Sequence, residues 1–296
     1  MQTNLTHPAG VLKHIQRNPT SKAWALQKLP LFPAVAAKLV STVSRQDCSF
    51  REVANLIGAD AGFTADVLRI ANSPLLACRH EVRSVLHAIS VLGLKRVETL
   101  AMTVALRNFA ASVANSEIFK DCWRHSLACA FAAEELAVAC SKNKDDAYTA
   151  ALMHDIGRIA LLTAFPDVYT QTVARARENN LDLMECEREQ FDFDHCQVGV
   201  KLMREWKFPP EMSEIAGNHH QTPDPSRFGI LEIVHAACIM ADMLGFQVAG
   251  TPREWNPVEI VDMLPPSAHS AFTEACSDFG IKILEKINML ECSLMF

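Results

Sequence analysis

Apolar residues recur at helical spacing along nearly the whole chain, whereas the alternating patterns typical of β-strands are scarce. Ala and Leu dominate, and aromatic residues make up only 7% of the 296 positions. The pattern therefore predicts an all-α protein. The predicted helices cover about 34–44, 62–72, 84–92, 95–110, 117–141, 145–164, 166–179, 194–206, 211–220 and 228–245, with one or two more between 256 and 290.

Local signals mark where several of these helices begin and end. Ser49 and Glu52 have the spacing of a capping box, in which each side chain binds the other residue's backbone N–H. Gly93 separates two helical runs and is a candidate C-terminal cap. A polar stretch near residue 115 predicts a boundary between two helical subdomains. We therefore expect an N-terminal helical part (1–112), a helical bundle (113–250) and a C-terminal helical extension (251–296).

Charge and cysteine usage narrow the class of protein. The net charge of −6 argues against nucleic-acid or anionic-membrane partners. No apolar run approaches the ~18 residues of a membrane span, and the first residues lack the apolar core of a signal peptide. None of the ten cysteines forms a Cys-x-x-Cys pair, and Cys129 reads as a small apolar residue of a helix. The chain is predicted to be cytoplasmic.

The candidate chemistry lies in five histidines and two aspartates of the second half. Imidazole and carboxylate together suit divalent transition metals such as Fe, Mn, Zn or Ni. Neighbours on a helix diverge by about 100°, so the adjacent pairs could serve two metals or two sides of one site. For any single histidine, an ordinary interior or surface position is the simpler alternative. The candidate ligands are His125, His154, Asp155, His195, His219, His220 and Asp242.

The sharpest local signal is the run from His154 to Arg158. Gly157 in this run permits a sharp turn or close packing, and Arg158 could hold a phosphate oxygen near a metal. The alternative is a helix end capped by Asp and Gly. Gly199 would likewise allow two helices to approach closely. Asp242 lies in a mostly apolar helix, where an unpaired carboxylate is costly, so we expect it to have a partner. His235 is expected to be a core or supporting residue.

The order and spacing of these residues resemble two known families. Residues 115–245 resemble the HD superfamily of metal-dependent phosphohydrolases, with a first His, a His-Asp pair and a late Asp. The further His195 and His219-His220 are similar to second-metal ligands of the HD-GYP branch, which cleaves cyclic-di-GMP. A likeness to the HDOD family rests on separated motifs in order: Leu29–Pro33, Glu52–Asp60, Leu68–Ser73, Ala88–Gly93, Phe191–Gly199 and Trp206–Pro209.

The resemblance implies a bacterial signal-transduction output module, since many HDOD proteins have lost ligands and are regarded as non-catalytic. This chain keeps all seven candidates, but Gln-Thr-Pro follows the double histidine where HD-GYP enzymes have Gly-Tyr-Pro. Arg158 stands where Lys is common. The hypothesis is an HDOD module that binds a signalling protein, with a phosphorylated or nucleotide ligand as a further candidate. The alternative is a phosphohydrolase acting on a nucleotide or cyclic dinucleotide, with Asp155 and Arg158 as its catalytic residues. A third interpretation treats the cluster as a staple of the fold.

The resemblance also implies an arrangement for one or two metal ions. One position is predicted to be surrounded by His125, His154, Asp155 and Asp242. The second is predicted to be surrounded by His195, His219 and His220, with Asp155 bridging the two. A surface around Leu31, Phe32 and Asn72 is expected to serve partner binding rather than turnover.

Overall fold

The computed structural model describes residues 29, 32–43, 45, 47–222 and 227–294. Within these ranges all regular structure is helical and no strand occurs, so the predicted all-α fold class is confirmed. None of the helices in these ranges is long and apolar enough to cross a membrane. Leu31, part of the expected partner surface, lies outside the described residues.

In the described residues, the N-terminal part has five helices: α1 (Ala34–Val43), α2 (Phe50–Gly58), α3 (Ala61–Ala71), α4 (Val85–Leu92) and α5 (Leu94–Phe109). Only half of the expected capping box forms. The Ser49 hydroxyl accepts from the backbone N–H of Glu52 at 3.1 Å. The Glu52 carboxylate instead accepts two hydrogen bonds from Arg45 at 2.8 Å, because that charged partner is within reach. Gly93 caps α4 at φ 84°, as expected.

The remaining helices are α6 (Glu117–Ala139), α7 (Lys144–Met153), α8 (Ile156–Ala164), α9 (Pro166–Asn179), α10 (Leu183–Phe191), α11 (His195–Glu205), α12 (Pro210–Asn218), α13 (Ile230–Met243), α14 (Pro257–Met263), α15 (His269–Ala275) and α16 (Phe279–Leu294). The prediction of one continuous helix over 145–164 is wrong, because the chain turns at His154 and Asp155 between α7 and α8. This turn places two candidate ligands inside the bundle, where both are only 2% exposed.

Helix α6 lies at the centre of the molecule. It packs against α7, α8, α13 and α16, and residues on all its faces are buried. The C-terminal α16 reaches across to α3 as well as α6, with Ile283, Ile287 and Leu290 buried. Helix α5 likewise contacts both α3 and α7. Helices α5 and α16 thus each contact helices on both sides of the predicted boundary at 112/113. The boundaries at 112/113 and 250/251 stay a prediction.

The expectation that Phe32 lies on a partner-binding surface is wrong. Its side chain is 6% exposed and stacks on Trp206 with ring centroids 4.4 Å apart. Phe109 and Phe208 complete this aromatic cluster at 6.0 and 5.8 Å from Phe32. This burial indicates that Phe32 packs the N-terminal helices against the end of α11. Its apolar ring is therefore part of the core.

Candidate metal centre

Close helix contacts bring the candidate ligands together. A Cβ on Gly157 would collide with the backbone carbonyl of His195, so α8 and α11 approach closely only because this residue is Gly. A Cβ on Gly199 would lie 3.1 Å from the Cβ of Ala216, which brings α11 against α12. The close packing expected at both glycines is confirmed. His195 begins α11 and His219 follows α12 directly, so these contacts bring both rings to the turn between α7 and α8.

Asp155 lies at the centre of the cluster. Four imidazole Nε2 atoms surround its carboxylate: His219 at 3.2 Å and His195 at 3.3 Å from Oδ1, and His125 and His154 each at 3.5 Å from Oδ2. Neither carboxylate oxygen accepts a hydrogen bond of good geometry from the described residues. A buried carboxylate in this state carries a desolvation cost that an added cation would offset.

The other ring nitrogen of each of these histidines faces an oxygen acceptor. The Nδ1 contacts are His154 to Ala151 O at 2.6 Å, His125 to Phe246 O at 3.1 Å, His219 to Ala216 O at 3.2 Å and His195 to Glu187 Oε2 at 2.7 Å. Because carbonyl and carboxylate oxygens only accept, Nδ1 carries the proton in a neutral ring and Nε2 keeps its lone pair. Metal-binding histidines are held in this way.

Glu187 and His235 support the cluster from behind. Glu187, fully buried, accepts hydrogen bonds from the His195 backbone N–H at 2.8 Å and from the Tyr169 hydroxyl at 2.7 Å. His235 Nδ1 lies 2.8 Å from the carbonyl oxygen of His219 and holds the turn after α12, as its expected supporting role requires. Sequence reasoning missed Glu187, because a single Glu in the charged α10 carries no signal of its own.

Cys129 and Cys238 also lie in the cluster. From the sequence we predicted Cys129 to be an apolar helix residue and did not single out Cys238. Cys129 Sγ lies 3.5 Å from His125 Nε2, and Cys238 Sγ lies 3.5 Å from His125 Nε2 and 3.7 Å from His154 Nε2. We call His125, Cys129, His154 and Cys238 the sulfur side; their ligand atoms all lie within 4.8 Å of one another. The expectation that Cys129 is only a small apolar residue is therefore incomplete. Its spacing from His125, one helical turn, is the signal that could have revealed it.

Asp242 contacts the His125 ring at the edge opposite the one that faces Asp155. Its Oδ1 lies 3.6 Å from Nδ1 of His125, which is the nitrogen that faces away from Asp155. The side chain is 33% exposed. Asp242 thus has the partner expected for it, but the structure does not bring its carboxylate to the edge where the Nε2 atoms meet. Burial, followed by the nearby Cys238, raises the pKa of Asp242 to about 6.

The guanidinium of Arg158 lies beside His195 and His220. Arg158 Nη2 lies 3.1 Å from His220 Nε2 and 3.4 Å from His195 Nε2, and those two ring nitrogens are 3.1 Å apart. Arg158 Nε is 3.2 Å from Asp155 Oδ2, and the residue is 6% exposed. We call Arg158, His195 and His220 the arginine side. The guanidinium thus lies among residues of the predicted second metal position.

The electrostatics agree with this arrangement. Burial alone would raise the pKa of Asp155, but Arg158 and then His154 hold it well below its usual range. Burial lowers the pKa of His220 to about 2, and the neighbouring His219 adds to this effect. His220 therefore presents a neutral ring to the buried guanidinium of Arg158.

Comparison with known proteins decides the family. The HDOD domain family profile matches residues 29–222, more than half of the chain. The chain belongs to the HDOD family. A curated relative, an uncharacterized protein of Treponema pallidum (strain Nichols), is 20% identical over 200 residues, which are 67% of this chain. The matched region is 39% of that relative, so the HDOD chain spans about two fifths of the curated protein it matches.

Three solved structures share the fold. An HDOD domain protein of unknown function from Geobacter sulfurreducens has a TM-score of 0.70 at 21% identity, over 90% of this chain and 92% of that one. A protein named as a candidate phosphohydrolase from Shewanella amazonensis gives 0.69 at 19%, over 90% and 97%. A protein named as a candidate signal transduction protein from Marinobacter aquaeolei gives 0.67 at 22%, over 90% and 60%. At these identities the likeness extends to the fold alone.

Proposed function

We propose that this HDOD chain is a bacterial signal-transduction output module whose bundle holds one divalent transition-metal ion beside Asp155. It acts by binding a signalling protein, with a phosphorylated or nucleotide ligand as a second type of partner. One observation carries the metal assignment. Four imidazole Nε2 atoms meet at a buried carboxylate that accepts no hydrogen bond of good geometry within the described chain.

The donor set fits a transition metal rather than Mg²⁺ or Ca²⁺. Imidazole nitrogen suits Zn, Fe and Ni, whereas the hard cations prefer cages of oxygen. The Nδ1 contacts already orient the rings, so an ion would meet a largely organised site. His125 and His154 are the HD-type ligands that the proposal places nearest the ion, with Asp155 beside them. Asp242 stays a candidate, which a rotation of its side chain would have to bring in.

The position of Arg158 supports one ion rather than two. An arginine is always charged in proteins, so its guanidinium repels a cation placed between His195 and His220. Arg158 also supplies positive charge to Asp155, a task that a second metal would otherwise perform. The predicted ligands His195 and His220 thus serve, in this proposal, to hold an arginine, while His219 contacts Asp155.

The proposal connects the ion with signalling through the helices that it would join. His125 belongs to the central α6, and His154 and Asp155 lie between α7 and α8. An ion that binds only the folded arrangement stabilises it by mass action. Partner surfaces on these helices would then depend on the ion. The net charge of −6 supports a protein or small-molecule partner over nucleic acid or a membrane. The ten free cysteines support a cytoplasmic location.

A metal-dependent phosphohydrolase is the second candidate, because two similar structures from Shewanella amazonensis are named as a candidate phosphohydrolase and a candidate metal-dependent phosphohydrolase. A divalent ion would supply Lewis-acid polarisation of a phosphate oxygen. Asp155 would position the ion, and Arg158 would contact the phosphate. In the structure the Arg158 guanidinium already contacts His195, His220 and Asp155, so it would have to leave them first.

Metal analysis and a turnover screen on one preparation test both candidates. Protein purified without chelators is analysed for Fe, Mn, Zn and Ni, and then supplied with Fe or Mn and tested on cyclic dinucleotides, nucleotides and generic phosphodiesters. The Asp155→Ala variant provides the background rate. We expect one bound ion per chain and no turnover above that background. Turnover that Asp155→Ala abolishes would make the phosphohydrolase correct, and protein without any ion would contradict the metal proposal.

A further inference from the structure

The sulfur side has a donor geometry that distinguishes it from an ordinary histidine and aspartate site. Cys129 is fully buried and Cys238 is 5% exposed, and both thiols face imidazole nitrogens rather than the apolar core. The four donors come from three parts of the fold: His125 and Cys129 from α6, His154 from the end of α7 and Cys238 from α13. An ion among them would therefore join elements that are distant in sequence.

Three distances can be compared with those of a tetrahedral zinc site. Zinc binds thiolate sulfur at about 2.3 Å and imidazole nitrogen at about 2.0–2.1 Å, so a tetrahedron separates these donors by about 3.6 Å. The sulfur side has nitrogen–sulfur separations of 3.5, 3.5 and 3.7 Å. These three separations match those of a tetrahedral zinc site, and all four ligand atoms lie within 4.8 Å of one another.

From this geometry we infer that His125, Cys129, His154 and Cys238 form a Cys₂His₂ site that binds a thiophilic divalent cation, with Zn²⁺ as the preferred ion. The inference rests on the proposed function, whose single ion it assigns to a ligand set. Two thiolates favour zinc over the harder Mn²⁺. Binding would convert any protonated thiol among the ligands to a thiolate and release its proton to solvent.

The competing ligand set uses the carboxylate of Asp155 together with His125 and His154. Its Oδ2 lies 3.5 Å from both ring nitrogens, so this set is also geometrically reasonable. However, the same oxygen lies 3.2 Å from Nε of Arg158, whose charge it partly neutralises. Among the contacts described, no guanidinium lies against the thiols of Cys129 and Cys238. This difference favours sulfur in the ligand set.

Cobalt substitution tests the inference because Co²⁺ reports directly on its ligands. Full-length protein is stripped with a chelator and titrated with Co²⁺ alone. We expect saturation at one equivalent, a near-ultraviolet thiolate-to-cobalt charge-transfer band and the intense visible bands of a tetrahedral ion. Cys129→Ser and Cys238→Ser should each weaken that band and lower zinc affinity by at least about 100-fold, beyond the 10–100-fold typical of residues behind the ligands.

Cys122→Ser is the matched control. Cys122 lies on the same helix α6, is 1% exposed and belongs to none of the candidate metal groups among the described residues. It should keep the charge-transfer band and the zinc affinity, while sharing any general cost of placing a hydroxyl in the core. If a Cys129 or Cys238 variant fails to fold, the spectrum of the unmodified protein still decides the question.

Two outcomes would overturn the inference, and they differ in what else they remove. One equivalent of Co²⁺ bound without a sulfur band would reject the Cys₂His₂ ligand set but leave the proposed single ion intact. No binding of Co²⁺ or Zn²⁺ would reject both.

Discussion

The sulfur side and the arginine side are built from similar residues around one carboxylate, yet they differ in what balances its charge. The sulfur side offers nitrogen and sulfur donors, and no arginine or lysine belongs to it. The arginine side offers two imidazoles whose Nε2 atoms both lie against the guanidinium of Arg158. A count of histidines therefore does not give the number of ions that a helical bundle holds.

This difference shows that a guanidinium can balance the charge of a buried carboxylate in place of a metal ion. A buried carboxylate surrounded by imidazoles needs positive charge nearby, and either a metal ion or a guanidinium supplies it. Only the guanidinium is permanently attached to the chain. One half of the cluster can thus be organised before any ion binds, while the other half depends on what the solution provides.

Removing the shared carboxylate should have the largest effect. Asp155→Asn keeps the size of the side chain but leaves Arg158 buried without its anion, which typically costs about 3–5 kcal/mol. Urea unfolding of chelator-treated protein measures this loss. Asp121→Asn is the control, since Asp121 pairs with Arg177 at 2.6 Å on the surface, with side chains 39% and 38% exposed, and such pairs contribute about 0–1 kcal/mol. Equal small losses in the two variants would contradict the central role of Asp155.

Removing the guanidinium should make the two sides alike. In Arg158→Ala the Nε2 atoms of His195 and His220 lose the neighbouring cation and gain space, so we expect two bound ions per chain instead of one. Elemental analysis after equilibration with excess Zn²⁺ and removal of free ion measures the count. Arg188→Ala, which removes an arginine whose side chain is 50% exposed, should leave the count at one. An unchanged count in Arg158→Ala would show that these histidines do not bind metal.

Separating α8 from α11 should have a smaller effect that is confined to the arginine side. In Gly157→Ala the new methyl group meets the backbone carbonyl of His195, and such overpacking typically costs about 1–3 kcal/mol. The ion on the sulfur side should remain, because His195 is not among its ligands. Thermal unfolding and metal content measure the two effects. Gly58→Ala, where no atom lies within 4 Å of the new Cβ, should change stability by less than about 1 kcal/mol.

Local signals gave much of the fold but less of the site. Helical periodicity predicted the all-α class, and Gly157 and Gly199 indicated close packing correctly, because both depend on the chain nearby. Cys129 was harder to interpret, since a cysteine on an apolar helix has the pattern of an ordinary core residue. Its role depends on Cys238, which lies more than a hundred positions away and contacts the same ring.

The same distinction explains the outcome for Arg158. Its spacing from Asp155 is visible in the sequence, and the ion pair between them follows from one turn of helix. Its contacts with His195 and His220 form only when α11 and α12 pack against α8. Sequence spacing therefore led to the prediction of a phosphate contact, whereas tertiary packing directs the guanidinium into the cluster.

The most direct test of the account is to locate the metal. Crystals of zinc-loaded protein, measured with X-rays just above and just below the zinc absorption edge, would show the ion by its anomalous scattering. We expect a single peak among His125, Cys129, His154 and Cys238, with the Arg158 guanidinium still against the Nε2 atoms of His195 and His220. A peak between His195 and His220, with Arg158 displaced, would contradict it.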